Sequence, residues 1–280
     1  MHMRIKLTLF LLVNAFIPYF ICTFATGSGK KSDERTMRQM KLWMMAVMMA
    51  GAMTAMAQKP AIDEVYLTVD EVPNAVYWLP VPPEPGSTQF VHDINQYYWG
   101  KAQRQDSARA QKAIHEADHE VKDMVRQFSP AFGMEISAEK TPAIYKVVNR
   151  AVLTIRLSAA KPKNTYMRQR PYVRFSEPTL VPKDEEELRN TGSYPSGHTV
   201  RGWGMALLLS EINPEAQDEL FKLGYEWGQS RVIAGFHWQS DVDASRMLAA
   251  ATYARLHACD AFNEDMEKAK KEFKKLKAQR

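Results

Sequence analysis

From about residue 90 onward, apolar residues recur at mixed spacings of three and four, the period of an α-helix with one face turned inward. Phe90–Gln127 carries this pattern among many Ala, Gln, Lys and Glu, and Ser137–Ser158 repeats it with Ile144, Val147, Val148, Val152 and Ile155. Pro214–Arg231 and Asp241–His257 read as further helices, and Glu264–Arg280, dense in Lys and Glu, as an exposed amphipathic helix end. Strand-like alternation is nearly absent, so the pattern predicts an all-α fold. Ahead of the helices, residues 58–88 contain Pro73, Pro80, Pro82, Pro83 and Pro85. Each removes a backbone donor and clashes with a preceding turn, which predicts an extended Pro-rich N-terminal arm.

The first 57 residues follow a different pattern. Leu7–Phe24 is an uncharged apolar run interrupted by Asn14 and Pro18, marginal for a bilayer span. Leu42–Ala57 is a second such run, preceded by Arg38 and Lys41 and ending Ala55-Met56-Ala57 before Gln58. A basic flank, an apolar stretch and a small-residue end make the pattern of a cleaved secretory signal. The expectation is therefore a leader over 1–57, with translation starting at Met37 or Met40 behind an upstream extension, and a periplasmic or secreted body over 58–280. The rival reading is a membrane anchor at 7–24; Cys22 is a poor lipoprotein cysteine, because Ile21 stands where a small residue is needed. Removing the leader leaves Cys259 without an intramolecular partner.

The body shows no repeat or linker and is expected to be one domain of about 220 residues. It lacks an apolar run near the length of a span, so no membrane is expected as its partner. The net charge of +5 comes from the leader: seven of the 37 Lys+Arg and two of the 32 Asp+Glu precede residue 58, leaving 30 of each behind. A neutral body gives nucleic-acid binding no support from net charge. The composition, 45% apolar and 25% charged, excludes a disordered or disulfide-stapled chain.

Two groups of residues carry candidate chemistry. His115-Glu116-Ala117-Asp118-His119 fits H-E-x-x-H, in which two histidines one helical turn apart hold zinc and the glutamate acts as base. No third ligand stands out downstream, and on a Glu- and Lys-rich helix the five residues read better as a solvated face, with both histidines dispensable and no metal expected. The second group spans three blocks: Lys163, six residues, then Arg170-Pro171; Pro195-Ser196-Gly197-His198; and Ser230-Arg231, five residues, His237, three residues, Asp241. Two guanidinium forks and an ammonium suit a phosphate dianion. A Ser-Gly pair entering a helix adds backbone N–H groups where the helix dipole favours an anion. If the last block is helical, His237 and Asp241 share a face. The carboxylate then takes Nδ1–H and leaves Nε2 as a nucleophile, while His198 protonates the leaving oxygen. Spacing alone leaves open whether the three blocks meet in space.

The pattern K-x6-R-P, P-S-G-H, S-R-x5-H-x3-D resembles that of the type 2 phosphatidic acid phosphatase superfamily, and the chain is most similar to its bacterial class A non-specific acid phosphatases. Further marks are Tyr166-Met167-Arg168-Gln169-Arg170-Pro171, Gly192 to Thr199, His237-Trp238-Gln239-Ser240-Asp241-Val242-Asp243 and Phe128-Ser129-Pro130-Ala131-Phe132-Gly133. The resemblance implies an all-helical, secreted, metal-independent phosphomonoesterase without a cofactor and broad in substrate, taking nucleotides, sugar phosphates and aryl phosphates. It assigns phosphate binding to Lys163, Arg170, Ser196, Gly197 and Arg231, acid catalysis to His198, attack on phosphorus to His237 and its orientation to Asp241. Ala234 and Gly235 stand where some members bridge a cysteine. Vanadium haloperoxidases share the same anion cage and form the alternative; membrane lipid phosphatases share the motifs on spanning helices, which the body lacks. A phosphate-binding module without catalysis is disfavoured by the presence of both histidines and the aspartate. The oligomeric state, a homo-oligomer included, is left open.

Overall fold

A computed structural model describes residues 64–279. The expected leader over 1–57 lies outside these residues. Among the described residues the regular elements are helical and no strand occurs, as the periodicity predicts. The helices are α1 (Thr88–Gln103), α2 (Ser107–His115), α3 (Val121–Phe132), α4 (Pro142–Leu157), α5 (Ala160–Tyr166), α6 (Pro171–Phe175), α7 (Glu185–Arg189), α8 (Gly197–Ile212), α9 (Gln217–Ala234), α10 (Gln239–Leu256) and α11 (Asp260–Lys277).

The stretch expected as one helix over Phe90–Gln127 is broken into α1, α2 and α3. At the first break Asp106 restarts the chain: its carboxylate accepts from Ala108 N at 2.9 Å and Arg109 N at 3.3 Å, meeting orphan donors of the α2 N-terminus. The arm ahead of α1 holds only short turns, but it is packed: Leu67, Val72, Ala75 and Leu79 join the main core, while Pro82 to Pro85 run over the surface. The C-terminal tail is also more than an exposed end. Phe262, Met266, Ala269 and Phe273 of α11 are buried, and Asp265 ties the helix to Lys146 and Arg150, both at 2.9 Å.

Helix α8 lies at the centre. Val200, Met205, Ala206, Leu208 and Leu209 leave it no solvated stripe, and α4, α9 and α10 pack around it. Its crossing with α9 is too close for side chains. A Cβ on Gly202 would meet Trp227 Cδ1 at 2.4 Å, and one on Gly224 would meet Ala206 Cβ at 2.7 Å. That approach brings Trp227, fully buried, under the first turn of α8. Helix α9 ends at Gly235 in the left-handed conformation (φ +89), and the chain turns sharply so that Phe236 N and His237 N donate to Arg231 O at 3.0 and 3.3 Å.

Candidate active site

The three sequence blocks converge at the N-terminal end of α8. Lys163 comes from α5, Arg170 from the residue capping α6, Ser196 to His198 from the start of α8, Arg231 from the last turn of α9, and His237 and Asp241 from the α9–α10 junction. Arg170 Nη1 stands 3.2 Å from His237 Nε2, Lys163 Nζ donates to Pro195 O at 2.9 Å, and Ser196 N donates to Asp241 O at 3.4 Å. All eight residues named from the sequence therefore belong to one cluster.

His237 departs from the helix-face expectation. It lies before Trp238, the residue that caps α10, and Asp241 sits in the first turn of that helix. The contact forms all the same, with Nδ1 3.3 Å from Asp241 Oδ2, because the same oxygen accepts Trp238 N at 2.9 Å and so curls back over the cap. Guanidinium nitrogens only donate, so the Arg170 contact requires a lone pair on Nε2 and places the imidazole hydrogen on Nδ1, toward Asp241. Burial, reinforced by the Arg170 and Lys163 charges against the Asp241 hydrogen bond, holds the imidazolium well below the ordinary histidine range.

Asp241 is fully buried and ionised. Burial pushes its carboxyl up, but Arg168 and the hydrogen bonds from His237 and Ser193 outweigh that and keep it well below the aspartate range. Arg168 Nη1 donates to Asp241 Oδ1 at 2.5 Å and to Ser240 Oγ at 2.7 Å, and its Nη2 donates to Asp93 Oδ2 at 2.6 Å. Asp93, also without solvent exposure, accepts Ser240 N at 2.8 Å. Ser193 Oγ donates to Asp241 Oδ2 from the other side. These supports were not given roles from the sequence, although Arg168 and Ser193 lie inside the family marks. Asp93 had one legible signal: a carboxylate on the buried stripe of Phe90, Tyr97 and Gly100.

Two further residues of the cluster carry buried nitrogens without partners. Arg231 is 4% exposed, lies over the Phe236 ring at 4.4 Å, and its Nε and Nη1 find no acceptor among the described residues. His198 Nε2 is equally unpartnered, with the ring stacked on Trp227 at 5.1 Å between centroids and an interplanar angle of 12°. Buried donors without partners mark a place where a ligand completes the hydrogen bonding. Ser196 Oγ caps α8 by accepting Thr199 N at 3.2 Å and Thr199 Oγ1 at 3.0 Å, which leaves its own hydrogen to donate. The first N–H groups of α8 have no acceptor within the helix, and a Cβ on Gly197 would meet nothing within 4 Å, so the approach to them is open. Burial, then Arg170, brings Lys163 down to about 7. Burial, then Arg231 and Arg201, holds His198 well below the ordinary histidine range.

The H-E-x-x-H residues do not share one helix face: His115 and His119 are exposed, as a solvated face requires, whereas Glu116 and Ala117 are buried. Helix α2 stops at His115, so His119 is off the helix and does not stack one turn above it. Glu116, 2% exposed, accepts from Ser230 Oγ, which also takes Arg109 Nη2 at 2.9 Å; the carboxylate is a tie between α2 and α9.

Residues 145–265 match the PAP2 superfamily. The chain is 41% identical over 245 residues to the non-specific acid phosphatase of Providencia stuartii, covering 84% of this chain and 98% of that protein. It is 41% identical over 204 residues to the non-specific acid phosphatase of Salmonella typhimurium, covering 72% of this chain and 81% of the relative. With the acid phosphatase of Zymomonas mobilis it shares 31% identity over 261 residues, 93% of this chain and 92% of the other. A likeness of this extent, with a family match whose range spans residues 163 to 241, means that the chain belongs to the non-specific acid phosphatases of the PAP2 superfamily.

Proposed function

We propose that the protein hydrolyses a broad range of phosphomonoesters through a phosphohistidine on His237. The observation that carries this is the Arg170 contact to Nε2, which fixes a neutral imidazole with its lone pair turned toward a guanidinium, in the same cluster as the unpartnered donors of Arg231. In the first step Nε2 attacks phosphorus and the ester P–O bond breaks. The electron pair leaves on the ester oxygen, and His198 supplies the proton. Lys163, Arg170, Arg231, Ser196 Oγ and the α8 N–H groups hold the equatorial oxygens, and Arg170 shifts from Nε2 to an oxygen as the anion arrives. His198 stands near Arg231 and Arg201, which disfavour its protonated form; a phosphate dianion beside it acts in the opposite sense and draws the proton on. In the second step water attacks phosphorus, returns a proton to His198 and frees His237 and inorganic phosphate. Asp241 holds Nδ1–H throughout and offsets the charge on the phosphorylated ring.

The same charges predict activity on the acid side of neutrality. His237 stays neutral well into acid, whereas Lys163 carries its charge only below about 7. Export is part of the proposal, supported by the signal pattern over Leu42–Ala57 and a cut before Gln58. Terminal sequencing of the mature protein checks it, and a mature form that retains residues 7–24 in membranes refutes it.

Rapid quenching with phosphorus-labelled substrate tests the mechanism. The expected phosphoenzyme survives alkali, decays in acid and is absent in His237→Ala. Two in-line displacements give net retention at a chiral phosphorus; inversion would mean direct attack by water and would remove His237 as nucleophile.

A further inference from the structure

The two histidines of the site are held in opposite ways. His237 has the Asp241 carboxylate, whereas among the described residues His198 forms no ion pair and its Nε2 finds no partner. Burial weighs against a charged His198 ring, and so do the charges nearest to it: Arg231 from α9, Arg201 from α8, His119 from the segment between α2 and α3, and His237 from the α9–α10 junction. None of these is an anion. An acid must nonetheless carry its proton at the moment the ester bond breaks.

One neighbour acts in the favourable sense. The His198 ring lies nearly parallel to the indole of Trp227, with centroids 5.1 Å apart and 12° between the planes. An aromatic face attracts a cation held within about 6 Å, tryptophan most strongly of the aromatic side chains, and the attraction grows where water is excluded. Here His198 is 6% exposed and Trp227 not at all. The indole has little freedom to move. A Cβ on Gly202 would meet Trp227 Cδ1, Cγ and Nε1 at 2.4, 2.7 and 3.1 Å, and the Phe128 ring packs against the indole at 5.4 Å between centroids. Trp227 Nε1 has no acceptor among the described residues. A phenyl ring would fill much of this space without an unmet donor, so what the indole adds is the stronger face.

We propose that Trp227 is a positioning residue for the acid step: its indole face orients the His198 ring and stabilises the imidazolium, so that the ring meets the ester oxygen with its proton in place. The proposal rests on the reading of His198 as the acid. Bound phosphate supplies negative charge on one side of the ring, and the indole supplies its face on another. As the P–O bond breaks, its electron pair stays on the ester oxygen, the imidazolium N–H bond gives up its proton to that oxygen, and a neutral ring remains stacked on Trp227.

The test follows the His198 imidazole by nuclear magnetic resonance in the full chain saturated with inorganic phosphate, in wild type, Trp227→Phe and Trp227→Leu. The midpoint of its titration is expected to fall by about one pH unit in Trp227→Leu, a tenfold loss of imidazolium at a given pH, and by less in Trp227→Phe, which keeps a weaker face. An unchanged midpoint in a folded Leu variant overturns the proposal. A second measurement needs no change at Trp227. An imidazolium in contact with an excited indole accepts an electron from it and quenches its emission. Phosphate-bound wild type should therefore lose tryptophan fluorescence on acidification through the His198 midpoint, and His198→Gln should lack that step; identical acid profiles overturn the proposal as well. Failure of the acid reading is distinct: the midpoint would still fall in Trp227→Leu, while alkyl phosphates and p-nitrophenyl phosphate slowed equally.

Discussion

Replacing Asp241 with Asn removes one charge while keeping the shape, and the contacts of the carboxylate set the consequence. Oδ2 receives Trp238 N at 2.9 Å, His237 Nδ1 at 3.3 Å and the Ser193 hydroxyl, and Oδ1 receives Arg168 at 2.5 Å. An amide has one accepting oxygen, so in either orientation its NH2 opposes buried donors. With the oxygen toward Trp238, the NH2 faces the Arg168 guanidinium, which is left with Asp93 alone. With the oxygen toward Arg168, the NH2 faces His237 and moves the imidazole hydrogen to Nε2, where it opposes Arg170 and covers the lone pair that attacks. Losing one partner of a buried ion pair costs about 3–5 kcal/mol. Loss of the correct tautomer at a buried Asp–His pair costs on the order of 10⁴ in kcat. Asp241→Asn is therefore expected to stay folded in neutral buffer with lower stability and to lose roughly 10²–10⁴ in kcat on p-nitrophenyl phosphate. Because the folded carboxyl is depressed, its contribution to stability is complete above the ordinary aspartate range and is lost as pH falls through the folded value. The variant should lack that acid-side loss. Urea titrations at pH 7 and in acid, beside steady-state kinetics, measure both; a folded Asn variant within tenfold of wild-type kcat would refute the role given to Asp241.

In Lys163→Arg the alkaline limb of kcat/KM, which in wild type should fall near the point where Lys163 loses its proton at about 7, is expected to move up by about one unit or more, because arginine stays charged. A limb that does not move assigns it to another group. His198→Ala should slow alkyl and sugar phosphates more than p-nitrophenyl phosphate, since the acid matters most for poor leaving groups; equal losses would make His198 a charge contact. Glu116→Gln should lower stability by about 1–3 kcal/mol in thermal unfolding, with no recovery on adding zinc, because the buried carboxylate ties Ser230 and Lys112. Recovery with zinc would reinstate the H-E-x-x-H reading.

Periodicity alone placed α4, α9 and α10 to within a few residues, because each presents apolar positions at helical spacing. It missed the divisions at Arg104–Asp106 and Glu116–Glu120, since a helix interruption that keeps the same face buried leaves the apolar spacing almost unchanged. It also read α11 as exposed, because Lys and Glu dominate its composition while Phe262, Met266, Ala269 and Phe273 supply a narrow buried stripe.

The sequence by itself determined the all-α class and named the eight residues that the fold brings together, because their spacing within each block is local. What only the tertiary structure decided is how they are held. The His237–Asp241 contact arises at a helix cap after a left-handed glycine, not along a helix face. Asp93 reaches Arg168 across 75 positions and Ser240 across 147. Trp227 reaches His198 only because two glycines let α8 and α9 close. Partners so far apart along the chain leave no local spacing to read; burial in one core makes their charges and hydrogen bonds depend on one another.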